Sequence, residues 1–130
     1  MVTPQILIVE DDMMMRAIFE LYSEQSGFEC VASVHSGEDA LKKLEHTNVD
    51  VIIIDIFLKT SMTGIELVEK IEEKYDIPII FITAKIDENL ITNNISRNVY
   101  GFLFKPLHKN NFKSTVNFAL SKHKFNKKNK

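Results

Sequence analysis

The sequence predicts an α/β fold in which a five-stranded parallel sheet lies between two layers of helices. Short apolar runs of strand length alternate with segments whose apolar residues recur at helical spacing. Five such strand–helix pairs follow one another, which is typical of a parallel sheet covered on both faces. Residues 51–54 are all β-branched, as expected of a strand buried on both sides.

Length and composition indicate one globular domain. The chain has 130 residues, of which 45% are hydrophobic and 26% charged, enough for a substantial core. Cys30 is the single cysteine, so an internal disulfide is impossible, and this favours a reducing compartment. The first residues contain neither a signal peptide nor an apolar run of spanning length. We therefore expect a cytoplasmic protein without membrane insertion.

Charge is distributed unevenly along the chain. Residues 109–130 contain seven lysines and no acid, and residues 1–108 hold the other nine basic residues against all 18 acidic ones. A body this acidic argues against a nucleic-acid partner. We expect residues 1–124 to form the domain and residues 125–130 to be a disordered basic tail.

Strands are predicted where short apolar runs are bounded by turn residues. The second run is less apolar than the others and is expected at an edge of the sheet. Pro78 begins the fourth strand, where its missing N–H is tolerated. The predicted strands are residues 6–9, 30–34, 51–55, 78–82 and 100–104.

Helices are predicted from helical spacing and from capping signals. Ser36 and Thr63 each precede a helix and are followed three residues later by an acid, as in a capping box. The fourth helix is rich in Asn and Thr, which favour turns, so we expect it to be short, shifted or mobile. In the first helix the apolar residues at helical spacing are Met14, Ile18, Leu21 and Tyr22. The predicted helices are residues 13–25, 37–45, 64–74, 87–96 and 109–122.

Reactive side chains follow four of the five predicted strands. The carboxyl ends of parallel strands share one edge of the sheet, where ligands bind. Acids gathered there repel one another unless a cation lies among them, and Mg²⁺ suits such hard oxygen ligands. These residues are Glu10, Asp11 and Asp12 after the first strand, Asp55 at the end of the third, Thr83 after the fourth and Lys105 after the fifth.

Their combination indicates phosphoryl transfer to a carboxylate. A carboxylate such as Asp55 can accept a phosphoryl group as an aspartyl phosphate. Lys105 and a metal ion could stabilise the charge on the phosphoryl oxygens, and Thr83 could donate a hydrogen bond to one of them. Each residue alone has a simpler explanation, such as an acid favoured at a helix N-terminus or a surface lysine. The occurrence of such side chains at four of the five strand ends favours a single phosphoryl-transfer site that they share.

In order and spacing these residues resemble the receiver domain of response regulators in two-component signalling. The resemblance spans about residues 5–122 and implies a flavodoxin-like, three-layer fold with strand order 2-1-3-4-5. The matching segments are residues 6–12, residues 51–55, Gly64, residues 82–84 and Lys105-Pro106.

The resemblance implies a role for each acid. Asp55 is the expected phosphoacceptor, and Mg²⁺ is the expected cofactor. Asp11 is expected to bind the metal directly and Glu10 through water. The backbone carbonyl of Phe57 is expected to complete the protein's share of the metal ligands.

The resemblance also implies a conformational readout. Thr83 and Lys105 would contact the phosphoryl group, and the Lys105–Pro106 peptide bond would be cis. Thr83 would move toward the phosphate while Phe102 turns inward, although Phe102 could equally be an ordinary strand hydrophobe. The surface that changes would be the fourth helix, fifth strand and fifth helix, through which a homodimer could also form.

We interpret the chain as a phosphoacceptor receiver domain that catalyses only its own phosphorylation and dephosphorylation. Its expected partners are a histidine kinase or phosphotransfer protein and a downstream protein target. Lys59 replaces a proline common in receivers, and the loop after Asp55 is one residue longer than the commonest form, as in receivers attached to multidomain sensor kinases. With no output domain following, the chain would act alone, relay the phosphoryl group or be a piece of a longer protein.

Two alternatives stay open at the level of sequence. A flavodoxin-like, metal-dependent phosphohydrolase or nucleotide binder would use the same sheet edge. It would need a second acid beside the nucleophile or a glycine-rich phosphate loop, and none of the 4 glycines forms such a loop after the first strand. A degenerate receiver serving only as a protein-binding module would have no use for the complete set of acids, Thr83 and Lys105.

Overall fold

Strands and helices alternate through the part of the chain that this computed structural model describes, residues 2–84, 89 and 98–128. The fourth predicted helix, apart from Asn89, lies outside the described residues. The elements in order are β1 (Gln5–Val9), α1 (Met13–Gln25), β2 (Glu29–Val34), α2 (Gly37–His46), β3 (Val51–Asp55), α3 (Gly64–Lys74), β4 (Ile79–Thr83), β5 (Val99–Phe104) and α4 (Lys109–Lys128).

The five strands form one parallel sheet in the order β2-β1-β3-β4-β5. Every residue of β3 and β4 is buried, whereas β2 lies at an edge and is mostly half-buried. The predicted fold and strand order are therefore confirmed, with strand bounds that differ by at most one residue. Pro78 lies just before β4 rather than within it, and its carbonyl accepts a hydrogen bond from the Ile52 amide at 3.0 Å.

The core has two halves because successive strand residues point to opposite faces of the sheet. Ile52 and Ile54 of β3 pack on the side of α2 and α3, with Leu67 as a fully buried neighbour. Ile53 packs on the other side, together with Phe19 of α1. A strand this dry holds the residue at its end, Asp55, rigidly at the sheet edge.

The predicted starts of the four helices that the structure describes are confirmed. The Ser36 hydroxyl accepts a hydrogen bond from the Asp39 amide at 3.2 Å, and Thr63 and Glu66 form a complete capping box. Gly27, which follows the C-cap residue of α1, has a φ of 85°, a conformation that L side chains rarely adopt.

The inner face of α1 differs in part from the prediction. Ile18 and Tyr22 are partly buried as expected, but Met14 and Leu21 are 73% and 49% exposed, and Phe19 is fully buried instead. Successive helical residues are about 100° apart, and Met14 and Leu21 therefore lie about a third of a turn from the centre of the buried stripe. The apolar spacing in the sequence fits two overlapping stripes, and contact with the sheet selects the one that contains Phe19.

The last helix, α4, is longer than predicted. It continues to Lys128, so residues 125–128 of the expected disordered tail are helical. His123 Nε2 lies 3.0 Å from Asp76 Oδ1, and Asn126 Nδ2 donates to the Tyr100 hydroxyl at 3.1 Å. These contacts hold the helix end against the sheet, and a sequence pattern does not reveal them. None of the described helices, α4 included, combines the length and hydropathy needed to span a bilayer.

Candidate functional site

The carboxyl ends of four strands bring the predicted site residues to one edge of the sheet. Asp55 is the last residue of β3 and Thr83 the last of β4, while Glu10 and Lys105 directly follow β1 and β5. Asp55 is in register with Ile82 of the neighbouring strand, and the Lys105 amide donates to the Thr83 carbonyl at 2.9 Å. The sheet register therefore places these residues on adjacent strand ends.

Three acids form the acid cluster, which consists of Glu10, Asp11 and Asp55. One carboxylate oxygen of each lies within 4.8 Å of those of the other two. Glu10 and Asp55 are buried and Asp11 is partly exposed. The fourth predicted acid, Asp12, serves instead as the N-cap of α1 and accepts a hydrogen bond from the Met15 amide at 3.1 Å.

Lys105 bridges two members of the acid cluster. Its Nζ lies 2.9 Å from Glu10 Oε1 and 3.1 Å from Asp55 Oδ2. Burial lowers the pKa of Lys105, but the hydrogen bonds to Glu10 and Asp55 outweigh it, and the pKa is raised overall. The ammonium group therefore stays charged at neutral pH. The Lys105–Pro106 peptide bond is cis, as expected.

Glu10 is the acid whose ionisation is most perturbed. Burial raises the pKa of Glu10 to about 7, although the Lys105 ammonium and the Asp12 amide lower it, and nearby Asp55 raises it further. Oε2 accepts a hydrogen bond from the Asp12 amide at 3.1 Å. Oε1 is buried and lies 2.9 Å from the Lys105 ammonium nitrogen.

These features fit a divalent cation. Three carboxylates form one cluster, and the described residues supply a single ammonium group to it. The negative charges of the cluster therefore outnumber the positive charge that contacts them. The donors are hard oxygens, which Mg²⁺ prefers. Glu10, Asp11 and Asp55 are therefore able to hold such an ion.

The Asp55 carboxylate has a fixed orientation. The Phe57 amide donates to its Oδ1 at 2.9 Å, while Lys105 contacts Oδ2. A Cβ atom added to Gly64 would lie 2.4 Å from the Asp55 carbonyl oxygen and 2.9 Å from Ile56 Cα. The first turn of α3 therefore packs directly on the backbone that carries Asp55, which only glycine permits.

Two phenylalanines were predicted to belong to the site: Phe57, two residues after Asp55, and Phe102, three residues before Lys105. The side chain of Phe57 is 43% exposed, and its amide is the one bound to Asp55. Phe102 is partly buried on β5, with its ring centroid 5.8 Å from that of Phe81 on β4. Thr83 is 1% exposed at the end of β4. Phe102 thus packs as a strand hydrophobe beside the strand that ends at Thr83.

Arg16 also belongs to this region, although the sequence pattern did not single it out. Its Nη1 donates to the Glu10 carbonyl at 2.8 Å and to the Asp11 carbonyl at 3.4 Å. The signal available in the sequence was an arginine one turn into the helix that follows the acids, a spacing that lets a side chain fold back.

Comparison with known proteins decides between the interpretations. The family model for the response regulator receiver domain matches residues 6–117. The chain belongs to this family. The alternatives of a phosphohydrolase, a nucleotide binder or a degenerate binding module are not favoured.

Relatives of the receiver domain include full regulators. The chain is 32% identical over 104 residues to the transcriptional regulatory protein AfsQ1 of Streptomyces coelicolor, covering 80% of this chain and 45% of that protein. It is 30% identical over 116 residues to the luminescence regulatory protein LuxO of Vibrio campbellii, covering 88% of this chain and 25% of that protein. The receiver domain thus spans about half or less of these relatives.

Solved structures agree with this assignment. The signal receiver domain of a modulated diguanylate cyclase from Desulfovibrio desulfuricans G20 is 26% identical, with a TM-score of 0.87, and the match covers 96% of this chain and 99% of that one. A receiver domain from Methanospirillum hungatei JF-1, described as CheY-like, is 20% identical with a TM-score of 0.83, covering 96% and 99%. The second likeness supports the fold alone.

Proposed function

We propose that Asp55 accepts a phosphoryl group from a phosphohistidine on a histidine kinase or phosphotransfer protein, in the presence of Mg²⁺. The observation that carries this proposal is the buried Asp55 carboxylate, which lies in the acid cluster with the Lys105 ammonium 3.1 Å away. A nucleophile, carboxylates able to hold a cation and a positively charged side chain thus lie together at one edge of the sheet. The receiver family supplies the reaction class.

Phosphoryl transfer at this site needs little covalent chemistry from the protein. An Asp55 carboxylate oxygen forms the new bond to phosphorus as the phosphorus–nitrogen bond of the donor breaks, and the donor imidazole keeps the electron pair. Lys105 stabilises the negative charge on the phosphoryl oxygens, and the Thr83 hydroxyl donates a hydrogen bond to one of them. Water later releases inorganic phosphate, so the chain acts only on itself.

The acid cluster would hold the metal ion. Asp11 and Asp55 would bind it directly, Glu10 through water, and the Phe57 backbone carbonyl would be a further ligand. When bound, Mg²⁺ supplies positive charge that offsets both the acids and the phosphoryl group. The three carboxylates of the acid cluster, which share the single Lys105 ammonium among the described residues, support this donor set.

The output would be a change of surface. Thr83 would move toward the phosphoryl group and Phe102 would turn into the space it leaves, which biases the outer surface of β5 and α4 between two states. That surface is the proposed contact for a downstream target or for a second copy of the chain. We place this exchange in the cytoplasm, in keeping with the single half-buried cysteine.

Phosphoryl uptake tests the proposal. The protein is incubated with acetyl phosphate, with Mg²⁺ or with EDTA, and its intact mass is measured. We expect one added phosphoryl group on the wild type with Mg²⁺ and none on Asp55→Asn. The matched control is Asp12→Asn, which removes an acid from the same edge but keeps a good N-cap, and it should take up phosphate normally. Equal uptake by Asp55→Asn, or none by the wild type, contradicts the proposal.

A further inference from the structure

Arg16 folds back over the turn between β1 and α1. Its Nη1 donates to the carbonyl of Glu10 at 2.8 Å and to that of Asp11 at 3.4 Å. Its backbone amide donates to the Asp12 carbonyl at 3.0 Å. One residue in the first turn of α1 therefore binds the carbonyls of all three consecutive acids.

These contacts fix the backbone on both sides of Asp11. The Glu10 carbonyl belongs to the peptide plane before the Asp11 Cα, and the Asp11 carbonyl belongs to the plane after it. Because peptide units are planar, the orientation of the two planes sets φ and ψ of Asp11 and hence the direction of its Cα–Cβ bond. Arg16 therefore helps to set the direction in which the Asp11 side chain leaves the backbone.

Asp11 depends on this support more than the other acids do. Glu10 is held by the Asp12 amide and Lys105, and Asp55 by the Phe57 amide and Lys105. In residues 2–84, 89 and 98–128, no hydrogen bond or ion pair reaches the Asp11 carboxylate. Its position in the acid cluster therefore rests on its backbone.

We propose that Arg16 is a positioning residue, which acts through the Glu10 and Asp11 carbonyls to aim the Asp11 carboxylate at Mg²⁺. This inference rests on the proposed function of the same site. Groups that orient metal ligands in this way typically change metal affinity 10- to 100-fold when they are removed. Arg16 also brings positive charge near a cation site, which by itself opposes metal binding. Positioning and charge thus predict opposite effects of removing the guanidinium.

Titration with Mg²⁺ alone separates the two effects. Amide shifts of ¹⁵N-labelled protein are followed by NMR in the wild type and in Arg16→Met. This substitution removes the N–H donors of the guanidinium and also its positive charge. Positioning predicts about a 10-fold weaker affinity in Arg16→Met, with changed Cα and Cβ shifts of Asp11 before any metal is added. Arg16→Lys keeps a donor for the Glu10 carbonyl, so its affinity should lie between those of Arg16→Met and the wild type. Lys42→Met removes a positive charge from an exposed position on α2 and should bind as the wild type does.

The outcomes distinguish this inference from the proposed function. Wild-type binding with equal or tighter binding by Arg16→Met overturns the role of Arg16 and leaves the metal site standing. A wild type whose amide shifts do not saturate with Mg²⁺ overturns the metal site and the inference with it. Should Arg16→Met fail to fold, as judged by its amide dispersion, Arg16→Lys decides: an affinity equal to that of the wild type, with unchanged Asp11 shifts, overturns the inference.

Discussion

Glu10 is the acid of the site whose ionisation depends most on its neighbours. It is 1% exposed, and burial is the main reason that its pKa rises to about 7. The Lys105 ammonium works in the opposite direction, because it stabilises the charged form. The neighbouring Asp55 carboxylate disfavours that form. The ionisation of Glu10 is therefore a sensitive report on the other members of the site.

Replacing either neighbour should shift the pKa of Glu10 in metal-free protein. Lys105→Met removes the contact that favours the charged form, so the pKa should rise above about 7. Asp55→Asn removes a like charge, so the pKa should fall. The side-chain carboxyl carbon of Glu10, followed by ¹³C NMR in EDTA, measures both shifts.

The control for this titration is Lys109→Met, which removes an exposed lysine at the start of α4. It should leave the titration of Glu10 unchanged. A Lys105→Met protein that titrates as the wild type does would show that the 2.9 Å contact has no electrostatic effect on Glu10.

The helices α2 and α3 both begin with a glycine, and the effect of replacing each glycine depends on the atoms that surround it. Gly37 and Gly64 are both the first residue of a capped helix, and alanine is the better helix former at either position. A Cβ at Gly64 would meet the backbone of Asp55 and Ile56, whereas a Cβ at Gly37 would meet the flexible side chain of Met62. Backbone cannot move aside as a methionine can.

We therefore expect Gly64→Ala to cost about 1–3 kcal/mol of unfolding free energy, the usual range for overpacking. Gly37→Ala should be nearly neutral, because Met62 shifts and helix propensity improves. Urea unfolding of both variants measures the difference. Equal stability of the two variants would contradict the close packing of α3 on the Asp55 backbone.

The C-terminal helix contacts Asp76 at the other end of the sheet, through His123. The contact with His123 is the largest cause of the lowered pKa of Asp76, which also accepts a hydrogen bond from Asn98 at 3.0 Å and faces Lys127. A lowered pKa means that this stabilisation is present above the unfolded value of 3.8 and is lost as pH falls through the folded value.

Asp76→Asn should therefore speed hydrogen exchange of the amides in residues 123–128 at neutral pH. The loss of unfolding free energy should be about 0.2–1 kcal/mol, as is typical of exposed pairs, and should shrink below pH 3.8. Glu69→Gln, at an exposed position of α3, is the charge control. A difference between wild type and Asp76→Asn that persists unchanged at low pH would show that the charge on the Asp76 carboxylate is not its source.

At the scale of the whole molecule, the sequence was most informative where local pattern and fold agree. The apolar run at residues 51–54 predicted the buried sheet. The acids, hydroxyl and lysine at the strand ends predicted the functional edge, because a parallel sheet aligns the carboxyl ends of its strands. Long-range partners were not predictable. The extension of α4 depends on Asp76, 47 residues from His123 in sequence, and Arg16 acts on carbonyl groups, which every residue has.

The most direct test of the central claim is to locate the phosphoryl group. The protein is treated with acetyl phosphate and Mg²⁺, the acyl phosphate is reduced with borohydride to homoserine, and the modified peptide is sequenced by mass spectrometry. The account predicts homoserine at position 55 alone and its loss when Mg²⁺ is replaced by EDTA. Homoserine at Asp11, Asp12 or any other acid, with Asp55 unmodified, would contradict it.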